Sequence, residues 1–170
     1  MKRFFLLLAI ACAALHASAF DKQLNIKASG GFSGFQGRDA NTKIRFAVKG
    51  GVGYEMRLFR VVGIEPGLMI GAKGGEDAAL VYTEIPVLAH LHLMGWGIYG
   101  GPYAAYAIYG SKDFFDKPDT RRFDFGAELG VRYTLLKCSV GIDVTWGGVN
   151  LIADQDANNY AVSLMLGFSL

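Results

Sequence analysis

The sequence predicts an all-β fold, an eight-stranded antiparallel up-and-down transmembrane β-barrel. Three observations carry that reading. Tyr160 to Leu170 alternates without a break: Tyr160, Val162, Leu164, Leu166, Phe168 and Leu170 share one side, and Ala161, Ser163, Met165, Gly167 and Ser169 the other. Period two marks a strand, and a strand of roughly 9–11 residues with one large apolar face suits a tilted crossing of a bilayer. The chain is also 52% hydrophobic, 13% aromatic and rich in glycine, with 23. Yet beyond its N-terminus no run approaches the ~18 apolar residues of a membrane-spanning helix. Finally, the charges of the other alternating segments gather on the face that holds the glycines.

The N-terminus reads as a secretory signal over residues 1–19. Lys2 and Arg3 precede the apolar run Phe4 to Leu15, and Ala17-Ser18-Ala19 is a small-residue cleavage site. A lipoprotein reading at Cys12 would cut the apolar run very short. Residues 20–170 are then one exported domain. The signal takes two of the 17 basic residues and none of the 15 acidic ones, so the mature chain is balanced. No basic field recruits nucleic acid. Only Cys138 survives cleavage, which excludes an internal disulfide and a cysteine zinc site.

The strands follow in order. The first spans about Gln23 to Phe32, with Leu24, Ile26, Ala28 and Phe32 opposite Asn25, Lys27 and Ser29. The second, Lys43 to Met56, sets Ile44, Phe46, Val48, Val52, Tyr54 and Met56 against Arg45, Lys49 and Glu55. The third, Val61 to Lys73, opposes Val62, Ile64, Leu68 and Ile70 to Glu65, Met69 and Lys73. The fourth, Leu80 to Leu93, opposes Val81, Ile85, Val87 and Leu91 to Tyr82, Glu84, His90 and His92. The fifth, Gly97 to Tyr109, is softer. The sixth, Arg122 to Tyr133, sets Phe123, Phe125, Leu129 and Val131 against Asp124, Glu128 and Arg132. The seventh, Cys138 to Trp146, sets Val140, Ile142 and Val144 against Ser139, Asp143 and Thr145.

Connections near Arg57–Arg60, Met94–Trp96 and Leu135–Lys137 are tight. Those at Ser33–Thr42, Gly74–Ala79, Gly110–Arg121 and Gly148–Asn158 are longer and polar. Short turns on one rim and long loops on the other are the outer-membrane pattern, with both termini on the periplasmic side. Alternation alone fits a soluble sandwich as well. Glycine on the polar face (Gly51, Gly53, Gly63, Gly67, Gly71, Gly101, Gly126, Gly130, Gly141) and aromatic residues near strand ends favour a narrow lumen and interfacial girdles.

Several motifs, in order, resemble the PorT-like family of small outer-membrane β-barrel proteins. Tyr82-Thr83-Glu84-Ile85-Pro86 is similar to that family's Tyr-x-Glu-Ile-Pro strand, and Gly100-Gly101-Pro102-Tyr103 follows at the family's spacing. Glu65-Pro66-Gly67-Leu68, Lys73-Gly74, Phe123-Asp124-Phe125-Gly126 and Gly147-Gly148-Val149-Asn150 resemble neighbouring strands. The resemblance implies an outer-membrane barrel. The family's named member serves a secretion and gliding apparatus, a role that membership alone does not carry over.

The candidate site residues are inward charges and strand prolines. An eight-stranded lumen is nearly filled by side chains, and buried ions must pair. Lys49, Glu65, Glu84, Asp124, Glu128 and Arg132 are expected to form a lumen charge network, with Arg132 and Lys49 as its cations. Pro66, Pro86 and Pro102 fall inside three successive strands, where proline removes a ladder donor. Bulges or local kinks that shape the wall would absorb them, or they mark a lateral seam for lipid or another hydrophobic ligand.

His90 and His92 share the inward face, but a metal site would need further ligands and a hydrolase a placed nucleophile. The aspartates at 113, 116, 119, 124, 154 and 156 miss the EF-hand spacing. No catalytic residue, metal or cofactor is therefore assigned. The expected function is a non-enzymatic scaffold or surface-loop interaction protein of a Gram-negative outer membrane, within a membrane assembly. The runner-up binds or laterally passes a hydrophobic ligand, and a lipid-modifying enzyme stands third. Expected partners are outer-membrane lipid and a protein met through extracellular loops or periplasmic turns.

Overall fold

Eight strands follow one another and close on themselves. They are β1 (Phe20–Gln36), β2 (Arg45–Leu58), β3 (Val62–Gly75), β4 (Ala78–Leu93), β5 (Trp96–Gly110), β6 (Phe123–Leu135), β7 (Cys138–Gly147) and β8 (Asn158–Ser169). The computed structural model describes residues 20–36, 44–58, 60–75, 78–110, 122–148 and 158–170. Residues 1–19, where the signal is expected, and most long-loop residues, including the aspartates at 113, 116, 119, 154 and 156, lie outside these. Every neighbouring pair is antiparallel, and β1 pairs with β8 from Asn25↔Ser169 to Gln36↔Asn158. Closure removes both sheet edges and, away from the strand prolines, pairs backbone polar groups without help from water.

The strands are inside out relative to a soluble barrel. Ile26, Phe46, Ile70, Ile85, Leu129, Ile142 and Leu164 point outwards and are exposed, while Asn25, Glu55, Glu65, Glu84, Asp124, Arg132 and Asp143 are buried within. Charges inside and a continuous apolar outer belt place this wall in hydrocarbon. Glycine makes the interior narrow enough to fill. A Cβ at Gly130 would overlap the Tyr99 ring, and one at Gly53 would overlap the Glu65 carboxylate.

The short turns are as tight as expected. Met94 and Gly95 both take positive φ (50° and 88°), the geometry that matches the twist of a two-residue hairpin. Arg60 and Leu136 adopt the same left-handed backbone at the other two turns. Two expectations need correction. The loop expected over Gly74–Ala79 is shorter, because β3 and β4 stay paired as far as Gly75↔Ala78. Its small residues offer no alternation to read. The bulge is not at the prolines: the register shifts between Val81 and Tyr82 on β4–β5, and is unchanged across Pro66, Pro86 and Pro102.

Candidate functional site: the charged lumen and the proline row

Strand parity sends every second residue inwards, so chemistry collects in the lumen at levels set by register. Glu55 is the hub near the short-turn end. Arg57 donates to it twice, Nε to Oε1 at 2.8 Å and Nη2 to Oε2 at 2.9 Å. Arg132 Nη2 donates to Oε2 from across the lumen at 2.8 Å, and Asn25 Nδ2 at 3.2 Å. His92 Nε2 lies 2.5 Å from Oε1. Glu65 sits beside it, bonded by Lys27 Nζ and by Asn25 Nδ2 at 2.8 Å. Ser169 Oγ ties the last strand in through Asn25 Oδ1 at 2.8 Å.

Higher in the lumen, Lys49 bonds Glu128 at 2.8 Å and lies 3.8 Å from Asp143. Lys73 bonds Glu84 at 2.8 Å, lies 3.6 Å from Asp124, and packs between the Tyr82 and Tyr103 rings at 4.8 and 4.6 Å. Tyr103 Oη donates to Asp124 Oδ2 at 3.2 Å. Tyr99 plugs the middle with Leu88 and Met165. A cavity of about 20 Å³ remains between Lys49, Lys73, Glu84 and Asp143, room for roughly one water.

The structure places all six expected network residues in the lumen but distributes them differently. Arg132 lies 3.7 Å from Glu65, and its shorter contact is to Glu55. Lys49 takes Glu128, whereas Glu84 and Asp124 belong to Lys73. Lys27, Glu55, Lys73 and Asp143 complete the network. Their inward parity was legible; which carboxylate each cation reaches depends on barrel stagger, which no single strand records.

The prolines meet at one place. Pro66 pairs with Val87 on β4, and the unbroken register sets Pro102 opposite Val87 on its other side. Pairing lapses for two residue pairs at each proline, always towards the preceding strand: Tyr54 and Glu55 for Pro66, Gly67 and Leu68 for Pro86, Val87 and Leu88 for Pro102. Towards the following strand it holds, with Pro86↔Tyr103 and Pro102↔Ala127. Pro102 is exposed outwards, Pro66 is partly exposed, and Pro86 is buried.

His90 and His92 stack in parallel, with centroids 5.7 Å apart and planes within 8°. Tyr99 covers the other side of His90 at 5.2 Å. Ligand atoms of Glu55, His90 and His92 lie within 4.8 Å of one another.

The chain's architecture has relatives among solved structures. Neisserial surface protein A of Neisseria is 9% identical, with a TM-score of 0.59, covering 86% of this chain and 97% of that one. Ail, the attachment invasion locus protein of Yersinia pestis, is 12% identical, with a TM-score of 0.52, covering 88% and 99%. Its complex with the heparin analogue sucrose octasulfate aligns with a TM-score of 0.57 at the same identity and coverage. At these identities the likeness is one of fold. No curated protein sequence matches the chain. Residues 4–169 match the outer membrane protein beta-barrel domain family, and with its closed eight-stranded wall, apolar outside and charged inside, the chain belongs to that family.

Proposed function

We propose that the protein is a non-enzymatic scaffold of the outer membrane, holding surface loops and periplasmic turns for a protein partner within a membrane assembly. The filled lumen carries this reading: ion pairs and tyrosines block it at successive levels, and the cavity between Lys49, Lys73, Glu84 and Asp143 is only water-sized. A wall this closed is suited to presenting its rims rather than passing solutes. Against an enzyme, buried His90 makes no hydrogen bond to a hydroxyl nucleophile. The deciding experiment is cross-linking in intact cells, followed by affinity capture from gently solubilised outer membrane. One stoichiometric protein partner, lost when the long loops or short turns are replaced, is expected. Capture of the barrel with lipid alone would refute the scaffold reading.

A second reading rests on the proline row. Three adjacent interfaces with lapsed pairing around Val87 make a weak place in the wall at mid-strand. A lipid or other hydrophobic ligand would enter laterally there. Binding of an apolar fluorescent probe, reduced by Pro66→Val, Pro86→Val and Pro102→Val together, tests it; unchanged binding rules it out.

A further inference from the structure

We propose that Glu55, His90 and His92, with Glu65 as a fourth ligand, bind a divalent transition-metal ion of the zinc class at the short-turn end of the lumen. The two histidines are two residues apart on β4, so both point inwards with parallel rings. Glu55 and Glu65 come from β2 and β3, so the ligands stand on three adjacent strands rather than on loops. His92 Nε2 is 2.5 Å from Glu55 Oε1, and His90 Nε2 is 3.6 Å from Glu65 Oε2. A tetrahedral ion needs such a set, two imidazoles and one or two carboxylates, converging on one point.

The second observation is His90 itself. Its side chain is fully buried, and neither ring nitrogen has a hydrogen-bond partner. A buried imidazole is ordinarily bonded, because desolvating it without a partner is costly. A metal ion held among Glu55, His90 and His92, whose ligand atoms lie within 4.8 Å of one another, would supply what the protein does not. Half-buried His92, near the rim, leaves an entry path from the short-turn side.

The surroundings decide which ion. Arg57 and Arg132 bond Glu55, and Lys27 bonds Glu65. They act as outer partners that orient the ligating carboxylates. They also make the layer cationic before any metal enters, with three fixed positive charges against two carboxylates. That charge opposes every divalent ion alike, so the choice among ions rests on the two imidazoles. Zn²⁺, Co²⁺, Ni²⁺ and Cu²⁺, which bond strongly to imidazole, are selected over Mg²⁺ and Ca²⁺.

The test is a Co²⁺ titration of the untagged full-length barrel folded in detergent, followed by visible ligand-field absorption. A single saturable equivalent is expected, displaced by Zn²⁺ and not by equal Mg²⁺ or Ca²⁺. His92→Gln should lower the affinity by at least ~10-fold, the lower end of what loss of an outer partner causes. His92 is half-buried at the rim, and a heat-modifiable gel shift verifies that this variant is folded, so the result does not hinge on the deeply buried His90. His90→Gln, where it folds, should act alike. Absence of saturable Co²⁺ binding, undiminished binding in folded His92→Gln, or displacement by Mg²⁺ would each overturn the proposal.

Discussion

Arg132 on β6 reaches across the lumen to Glu55 on β2, Nη2 to Oε2 at 2.8 Å, with both side chains buried. The bond spans the barrel, so it fixes opposite walls as no neighbouring-strand ladder can. It also sits where three other side chains, Asn25, Arg57 and His92, already make four contacts to the same carboxylate.

Removing one partner of such a pair is worse than removing both. Arg132→Ala leaves Glu55 short of one cation and Glu65 without its 3.7 Å guanidinium. We expect a loss of about 3–5 kcal/mol in unfolding from detergent or liposomes. Lys49→Met should cost less, because Lys49 is less deeply buried than Arg132. Equal losses would mean that the network acts as one block rather than as layers.

Gly130 and Tyr99 are matched by volume. A Cβ at position 130 would overlap the Tyr99 ring, which cannot swing away because His90 stacks on it. Gly130→Ala should destabilise by about 1–3 kcal/mol through overpacking. Adding Tyr99→Leu should recover part of that loss, so a double-mutant cycle should show favourable coupling. Additive losses would place the strain elsewhere.

Each proline disturbs one interface only. Pro102 lapses towards Val87 on β4 but stays paired with Ala127 on β6. Pro102→Val should therefore slow amide exchange on β4 and β5 beside Val87 and leave β6 unchanged. Slowing on β6 instead would show that the lapse had been assigned to the wrong side. The close approach of the two strands explains a neighbouring choice. Gly101 lies so close to the Val87 oxygen that a Cβ would overlap it. Gly101→Ala should accordingly lower stability by overpacking against that backbone.

The fold was legible because barrels write themselves in period two, and Leu164-Met165-Leu166 or Val140-Gly141-Ile142 can be sorted by side without knowing any partner. Strand ends were less so. β1 runs on to Gln36 past Phe32, where Ser33-Gly34 carries no apolar contrast, and β4 begins at Ala78 among small residues. The site was half legible. Glu55 had the right parity, but its meeting with Arg132 and His92 depends on strands that are remote in sequence. The left-handed turn at Met94 was readable in position only, since methionine does not advertise positive φ.

Besides the ion-paired layers, tyrosines close the lumen at two levels in series, and a series barrier opens only when both are removed. Tyr99 closes the middle beside Leu88 and Met165, while Tyr82 and Tyr103 close the long-loop half around Lys73. The unaltered barrel should give no steady current in planar bilayers. Tyr99→Ala or Tyr103→Ala alone should each cost about 3–5 kcal/mol as a cavity, yet leave conductance near baseline, because the other level still excludes a water file. The double variant, where it remains folded by heat-modifiable mobility, should conduct small ions. A steady current through the unaltered barrel would show that the charged layers part readily. Conduction through one single variant would show that the levels are not independent, and that the tyrosine removed holds the other in place.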